Sequence, residues 1–210
     1  ATGFDQRDAA LATYLRFFGL TNGSACGGSG LREYLWNPHA GAWQWADHGC
    51  EGGRRMDLGL GSSVHRPYGL RNRSTSFVFT VAHGTAAASH SVVLRWRQSV
   101  GASVGPWAWL DLGTPNGASL SLSGPRPVAV TYDRGNDSWR THVFVTARAT
   151  ADGRFRLFEK YYDEATGWSS WVDHGRPILT AADSPDASAT FQMTSALVTG
   201  RNQSLRIVLQ

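Results

Sequence analysis

Lysine is almost missing from this 210-residue chain. Lys160 is the sole one, so the positive charge is nearly all arginine. Charged residues of both signs make up only 17% against 41% hydrophobic, a balance that supports a packed core and argues against disorder. The net charge is +4 and the isoelectric point about 9.4, but the arginines are scattered. A nucleic-acid footprint needs them gathered in a stripe, so no nucleic-acid partner is expected. No apolar run approaches membrane-spanning length, so no membrane span is expected. No stretch sustains a 3.6-residue period, which removes the case for helices. There are two cysteines, no Cys-x-x-Cys and no His-x-x-x-His, so no metal site is expected. A glycine-rich phosphate loop and a zincin motif are also missing. No catalytic set and no cofactor are assigned.

What the chain does have is a repeat. Three segments end alike: Trp43-Gln-Trp45-Ala-Asp47-His48-Gly49, Trp107-Ala-Trp109-Leu-Asp111-Leu112-Gly113 and Trp168-Ser-Ser-Trp171-Val-Asp173-His174-Gly175. A unit of about 60 residues with one tryptophan-rich strand cannot bury its own hydrophobic face and must stack on copies of itself. Short β-branched and aromatic runs between Gly, Pro, Asn, Asp and Ser clusters read as strands. The third repeat gives strand A at Pro127–Tyr132, B at His142–Ala147, C at Arg154–Tyr162 and D at Trp168–Asp173. The second gives B at Phe77–Ala82, C at Val92–Gln98 and D at Pro106–Asp111. The first gives A at Ala1–Gln6, B at Leu15–Leu20, C at Leu31–Trp36 and D at Ala42–Asp47. Leu31, Leu94 and Leu157 are expected to open strand C in register.

A fourth unit is expected to offer Ala187–Thr194, Ser195–Thr199 and Leu205–Leu209, with no strand D. The fold expected is all-β: a β-propeller, or part of one, built of four-stranded antiparallel blades, the last incomplete. The repeats cover about 1–53, 54–117, 118–178 and, in part, 179–210 of a single domain. An incomplete last blade leaves open a trimmed domain, compact closure or assembly of chains into a homo-oligomer.

The repeated Asp47, Asp111 and Asp173 are expected to close turns on the glycine two residues on. In each D strand the second tryptophan (Trp45, Trp109, Trp171) holds fixed register with that turn and is expected to pack between blades. The first (Trp43, Trp107, Trp168) is less constrained and is a candidate to line a groove, where an aromatic face can stack on the C–H side of a sugar ring. The wider Trp168–Trp171 spacing suggests a bulge. Strand C supplies candidate polar partners: Arg32, Glu33 and Trp36 in the first repeat, Arg95 in the second and Glu159 in the third. Alternation sends Arg32 and Glu33 to opposite faces, so at most one can line a given groove. Solvent-facing ion pairs are the alternative reading of these residues.

"GRFRLFEKYYDEATGWSSWVDHGRP", preceded by "HVFVTA", resembles the repeat of the Photorhabdus-type fucose-binding lectins, whose units build a seven-bladed propeller. "LRFFGLTNGSACGGSGLREYLWNPHAGAW" resembles a blade of the Aleuria-type fucose lectins, in which an Arg, a Glu and a Trp bind the sugar. The resemblance maps that triad onto Arg16, Glu33 and Trp43. It implies a non-catalytic, carbohydrate-binding propeller with glycans as partners. An enzyme acting on a glycan or other small molecule, and a protein-interaction propeller, are the alternatives on the same fold.

Cys26 and Cys50 both fall in glycine-rich loop sequence and are expected to form a disulfide. Asn-x-Ser sequons occur at Asn22, Asn72, Asn136 and Asn202. Together these point to an extracellular, secreted protein.

Overall fold

The computed structural model describes residues 2–7, 13–22, 28–56, 60–66, 73–83, 90–101, 103–116, 118–120, 126–134, 139–176, 193–199 and 204–209. Among them there is no α-helix, only a single 3-10 turn at Glu51–Gly53. The chain is all-β.

The first sheet is a four-stranded antiparallel meander of β1 (Thr2–Arg7), β2 (Thr13–Thr21), β3 (Gly30–Asn37) and β4 (Ala42–Gly49). The second runs β5 (Leu60–Arg66), β6 (Arg73–His83) and β7 (His90–Val100), and its outer position is filled by two pieces, β8 (Ser103–Val104) and β9 (Ala108–Gly113), both paired to β7. Gly105 lies in the break. Its N–H bonds Gln98 O at 2.9 Å, and a Cβ there would meet that oxygen at 2.5 Å, so only glycine fits.

In the third sheet, β10 (Ala118–Ser119) and β11 (Val128–Asp133) share the edge of β12 (Trp139–Ala149). Next comes β13 (Phe155–Asp163), whose outer edge takes β14 (Gly167–Trp168) and β15 (Val172–Asp173). The gap at Ser169–Trp171 is the irregularity that the wider tryptophan spacing suggests.

The fourth unit is a hairpin of β16 (Met193–Thr199) and β17 (Ser204–Leu209). The strand boundary expected between Thr194 and Ser195 is instead a register shift inside β16. Residues 187–192 of the expected strand, and Cys26 of the expected disulfide, lie outside the described residues.

Successive sheets sit side by side by their first strands: β1 against β5, β5 against β11, and β11 against β16. One core cluster joins the first sheet to the second through Phe18, Leu31, Met56, Val78, Ala82 and Val93. A larger one joins the second to the third through Phe77, Phe79, Val81, Leu94, Val143, Val145 and Phe158, among others. Strand β6 is therefore buried on both faces, which is why its Phe77–Ala82 stretch, apolar but for Thr80, does not alternate. Full burial of each such Val, Leu or Phe contributes about 1.5–3 kcal/mol.

The register corrects one alignment. Leu31 pairs with Gly49, and Arg32, across an irregularity, with Asp47. Val92 pairs with Gly113 and Val93 with Asp111, while Leu157 exchanges backbone bonds with His174 and Gly175. The residues in register are thus Leu31, Val92 and Leu157, and Leu94 sits one pleat further on. A two-residue shift keeps the side chain on the same face, so the pattern of apolar residues could not reveal it.

Candidate functional site

The three Asp-x-Gly ends have one geometry. Asp47, Asp111 and Asp173 each accept the N–H of Gly49, Gly113 and Gly175, at 2.8, 2.7 and 2.7 Å. The glycines take φ of 64°, 77° and 75°, where a Cβ is strained. The first two of these turns leave the carbonyl of their middle residue facing the next sheet. Trp109 Nε1 donates to His48 O at 3.3 Å, and Trp171 Nε1 to Leu112 O at 3.1 Å. The second tryptophan of a repeat thus bonds the turn of the sheet before it. Trp45 departs from this. It is 64% exposed, with the guanidinium of Arg32 4.7 Å from its ring centroid, and the expectation that it is a core residue does not hold.

Each sheet has a near face, toward the sheet before it, and a far face, toward the one after. Pairing puts Arg16, Phe18, Glu33 and His48 on the far face of the first sheet. The register equivalents on the second sheet are Phe77, Phe79, Leu94 and Leu112, and on the third His142, Phe144, Glu159 and His174. The second set is apolar; the other two are ion clusters. Arg16 Nη1 bonds Glu33 Oε1, and His48 Nε2 meets Glu33 Oε2 at 2.9 Å. His142 Nδ1 bonds Glu159 Oε1, and His174 Nε2 meets Glu159 Oε2 at 2.6 Å. Tyr132 Oη lies 3.1 Å from His142 Nε2.

Burial raises the pKa of Glu33, but the His48 hydrogen bond and the Arg16 charge outweigh it and hold the carboxyl below its ordinary value. Glu159 is lowered in the same way: burial opposes, and the hydrogen bonds from His142 and His174 prevail.

The near face of the second sheet closes over the first cluster. Trp107 stands edge-on to His48 at 5.2 Å between ring centroids and to Phe18 at 5.9 Å. Arg97 lies over the Trp107 ring at 4.7 Å, and Arg95 over Trp109 at 5.0 Å. In the next groove Trp168 repeats the role of Trp107, but its neighbours are Phe77, Phe79 and Tyr162, and Lys160 at the Arg95 position donates to Leu112 O at 3.1 Å. The two grooves share one backbone design, the first lined by an ion cluster and the second by apolar side chains with Lys160 as its one cation among those named.

Of the residues singled out in the sequence, the structure therefore brings together Arg16, Glu33, Arg95 and Trp107. Glu159 belongs to the third-sheet cluster and Trp168 to the apolar groove. Arg32, Trp36 and Trp43 lie on the opposite face from Glu33. There Trp43 packs on Phe17 and Trp36 at 5.7 and 5.6 Å, and Arg32 approaches Asp47 at 3.8 Å. The tryptophan beside Arg16 and Glu33 is thus Trp107, from the following sheet, where the resemblance pointed to Trp43. His48, His142, His174 and Arg97 were not picked as site residues. A signal existed for the first and third: a histidine beside the turn Asp recurs in the two repeats that carry a strand-C Glu.

Among the described residues no group of His, Cys, Asp and Glu could hold a metal ion, and no helix is long and apolar enough to cross a membrane. No family model, curated protein or solved structure matches this chain.

Proposed function

We propose that the chain is a stack of propeller blades that binds carbohydrate without catalysis, outside the cell, in the groove between its first and second sheets. One observation carries the site. At the positions where the second groove has Phe77, Leu94, Leu112 and Tyr162, the first has Arg16, Glu33, His48 and Arg97. The second groove shows that apolar residues satisfy this backbone. A buried ion cluster commonly costs stability against an apolar set of similar volume, so its presence where the next groove is apolar points to a ligand. Arginine offers a fixed fork of donors, a carboxylate accepts hydroxyls, and an indole covers the apolar side of a sugar ring. The propeller reading is supported by the side-by-side first strands and by the tryptophan-to-turn bonds between sheets. The two cysteines and the Asn-x-Ser sequons support the extracellular setting.

The test exchanges the site for the apolar set of the second groove: Arg16→Phe, Glu33→Leu and His48→Leu together. The triple variant should keep the β-sheet circular dichroism of the native chain and retain no glycan on an array that the native chain binds. A native chain that binds no glycan, or a triple variant that binds the same glycans, would overturn the proposal.

A further inference from the structure

In the groove between the first and second sheets, the described side chains bring two guanidinium groups, Arg16 and Arg95, to one carboxylate, Glu33, and place a third, Arg97, over Trp107 beside His48. That carboxylate bonds Arg16 through Oε1 and His48 through Oε2, and each oxygen keeps a lone pair for a further donor. Among the described acidic side chains of the bordering strands, Asp47 faces Arg32, and Asp111 bonds Arg54 Nη2 at 2.8 Å.

Arg95 is the telling residue. Its guanidinium lies over Trp109, whose indole is bonded to His48 O of the facing sheet. Its Nε is buried without a hydrogen-bond partner. Burial lowers its pKa and the nearby charge of Glu33 raises it, with burial prevailing. The cation at the same register position of the next groove, Lys160, instead satisfies itself on Leu112 O. A half-buried guanidinium whose Nε has no partner among the described residues, and whose nearby carboxylate bonds Arg16 and His48 instead, can receive an anion.

Resting on the carbohydrate reading above, we infer that this groove is built for an anionic ligand, a saccharide carrying a carboxylate or sulfate whose charged oxygens are received by Arg95. Arg97, stacked on Trp107, extends the positive wall, and Glu33 and His48 remain for neutral hydroxyls. The paired geometry suits an acid group near one end of a ring and hydroxyls at the other, because Arg95 and the Arg16–Glu33–His48 cluster come from facing sheets. Guanidinium recognition of carboxylate or sulfate is two-pronged and charge-assisted, so a neutral isostere of the same sugar forfeits it.

The experiment measures binding of the native chain to three probes: a methyl uronide, its neutral methyl glycoside, and inorganic sulfate. The variants Arg95→Gln and Lys160→Gln are run beside it, with thermal midpoints recorded. The uronide should bind at least tenfold more tightly than the neutral glycoside and weaken as salt rises. Arg95→Gln should abolish that preference, and Lys160→Gln should keep it. Equal binding of both glycosides, unchanged by Arg95→Gln, overturns the inference and leaves the carbohydrate reading standing. Sulfate binding that depends on Arg95, with neither glycoside bound, supports the anion site and overturns the saccharide reading. If Arg95→Gln lowers the midpoint sharply, Arg95→Lys replaces it. This keeps the charge but not the fork, and should cut the preference without removing it; an unaltered preference would count against a forked contact.

Discussion

The indole N–H of Trp171 donates to the carbonyl of Leu112, 3.1 Å away, and so ties the third sheet to the turn that ends the second. Lys160 donates to the same oxygen at 3.1 Å and lies over the same indole at 5.5 Å. Trp109 makes the corresponding bond to His48 O. One tryptophan in each of the second and third repeats therefore packs between sheets and bonds a carbonyl of the preceding turn. Trp45 occupies the same register position and does neither within the chain, because it lies 64% exposed.

From this difference follows a stability series. Trp109→Ala and Trp171→Ala should each cost about 3–5 kcal/mol, through a cavity between sheets and a stranded carbonyl. Trp171→Phe should cost less, because it loses the hydrogen bond and keeps most of the packing. Trp45→Ala should stay within about 1 kcal/mol of the native chain. Chemical denaturation of the four variants measures the series, and a Trp45→Ala loss as large as that of Trp171→Ala would show that the exposed face is buried in solution.

The turn glycines give a second prediction. Gly113 has φ of 77°, and a Cβ there meets nothing within 4 Å, so Gly113→Ala carries backbone strain without a clash. The expected cost is about 1–2 kcal/mol. Asp111→Ala, which removes the acceptor of the Gly113 N–H and the partner of Arg54, should lower the denaturation midpoint as well.

The two ion clusters set a pH dependence. Glu33 and Glu159 have pKa values held below the ordinary carboxyl value when folded. The unfolded chain thus binds more protons than the folded one as pH falls through about 4.3, the unperturbed glutamate value. The stability these groups contribute is present above that pH and is lost as pH falls through their lowered folded values. The thermal midpoint should drop below about pH 4.5, and Glu33→Gln and Glu159→Gln should each flatten the drop. A midpoint that changes equally in native and variant chains would remove these carboxylates as the cause.

A fourth prediction concerns the cysteines. Cys50 lies against the core cluster between the first two sheets. A Cys26–Cys50 bond would close a loop of about 25 residues, for which the chain-entropy relation gives about 3 kcal/mol. Thiol titration of the denatured, unreduced protein should find no free thiol, and Cys50→Ser should lower the midpoint. Two titrating thiols would refute the bond.

Strands and turns were legible in the sequence because their causes are local. Asp111 and Gly113 are two residues apart, and the N–H that the Asp carboxylate accepts belongs to the Gly itself. The runs FVFTVA and HVFVTA have few conformations that bury them. The separation of Arg32 from Glu33 also followed from alternation alone. By contrast, that Arg16, Glu33, Arg95 and Trp107 form one site, with His48 and Arg97, was not legible, since they come from separate strands of two sheets. Trp43 is near Glu33 in sequence but behind it in the sheet, while Trp107 is brought to His48 only by stacking. The Leu31, Val92 and Leu157 register was missed for a related reason: a shift of two residues leaves every side chain on its face.

What the amino-acid sequence determined by itself is the all-β character, the repeat and the Asp-x-Gly ends, since short-range sterics and hydrogen bonds decide them. What only the tertiary structure decided is which faces meet. Burial of Trp109 and exposure of Trp45 arise from the same local motif in different surroundings. The charge on Arg16, Glu33, Arg95 and Arg97 becomes one site only when two sheets close on each other, because electrostatic interaction depends on distance in space and not along the chain.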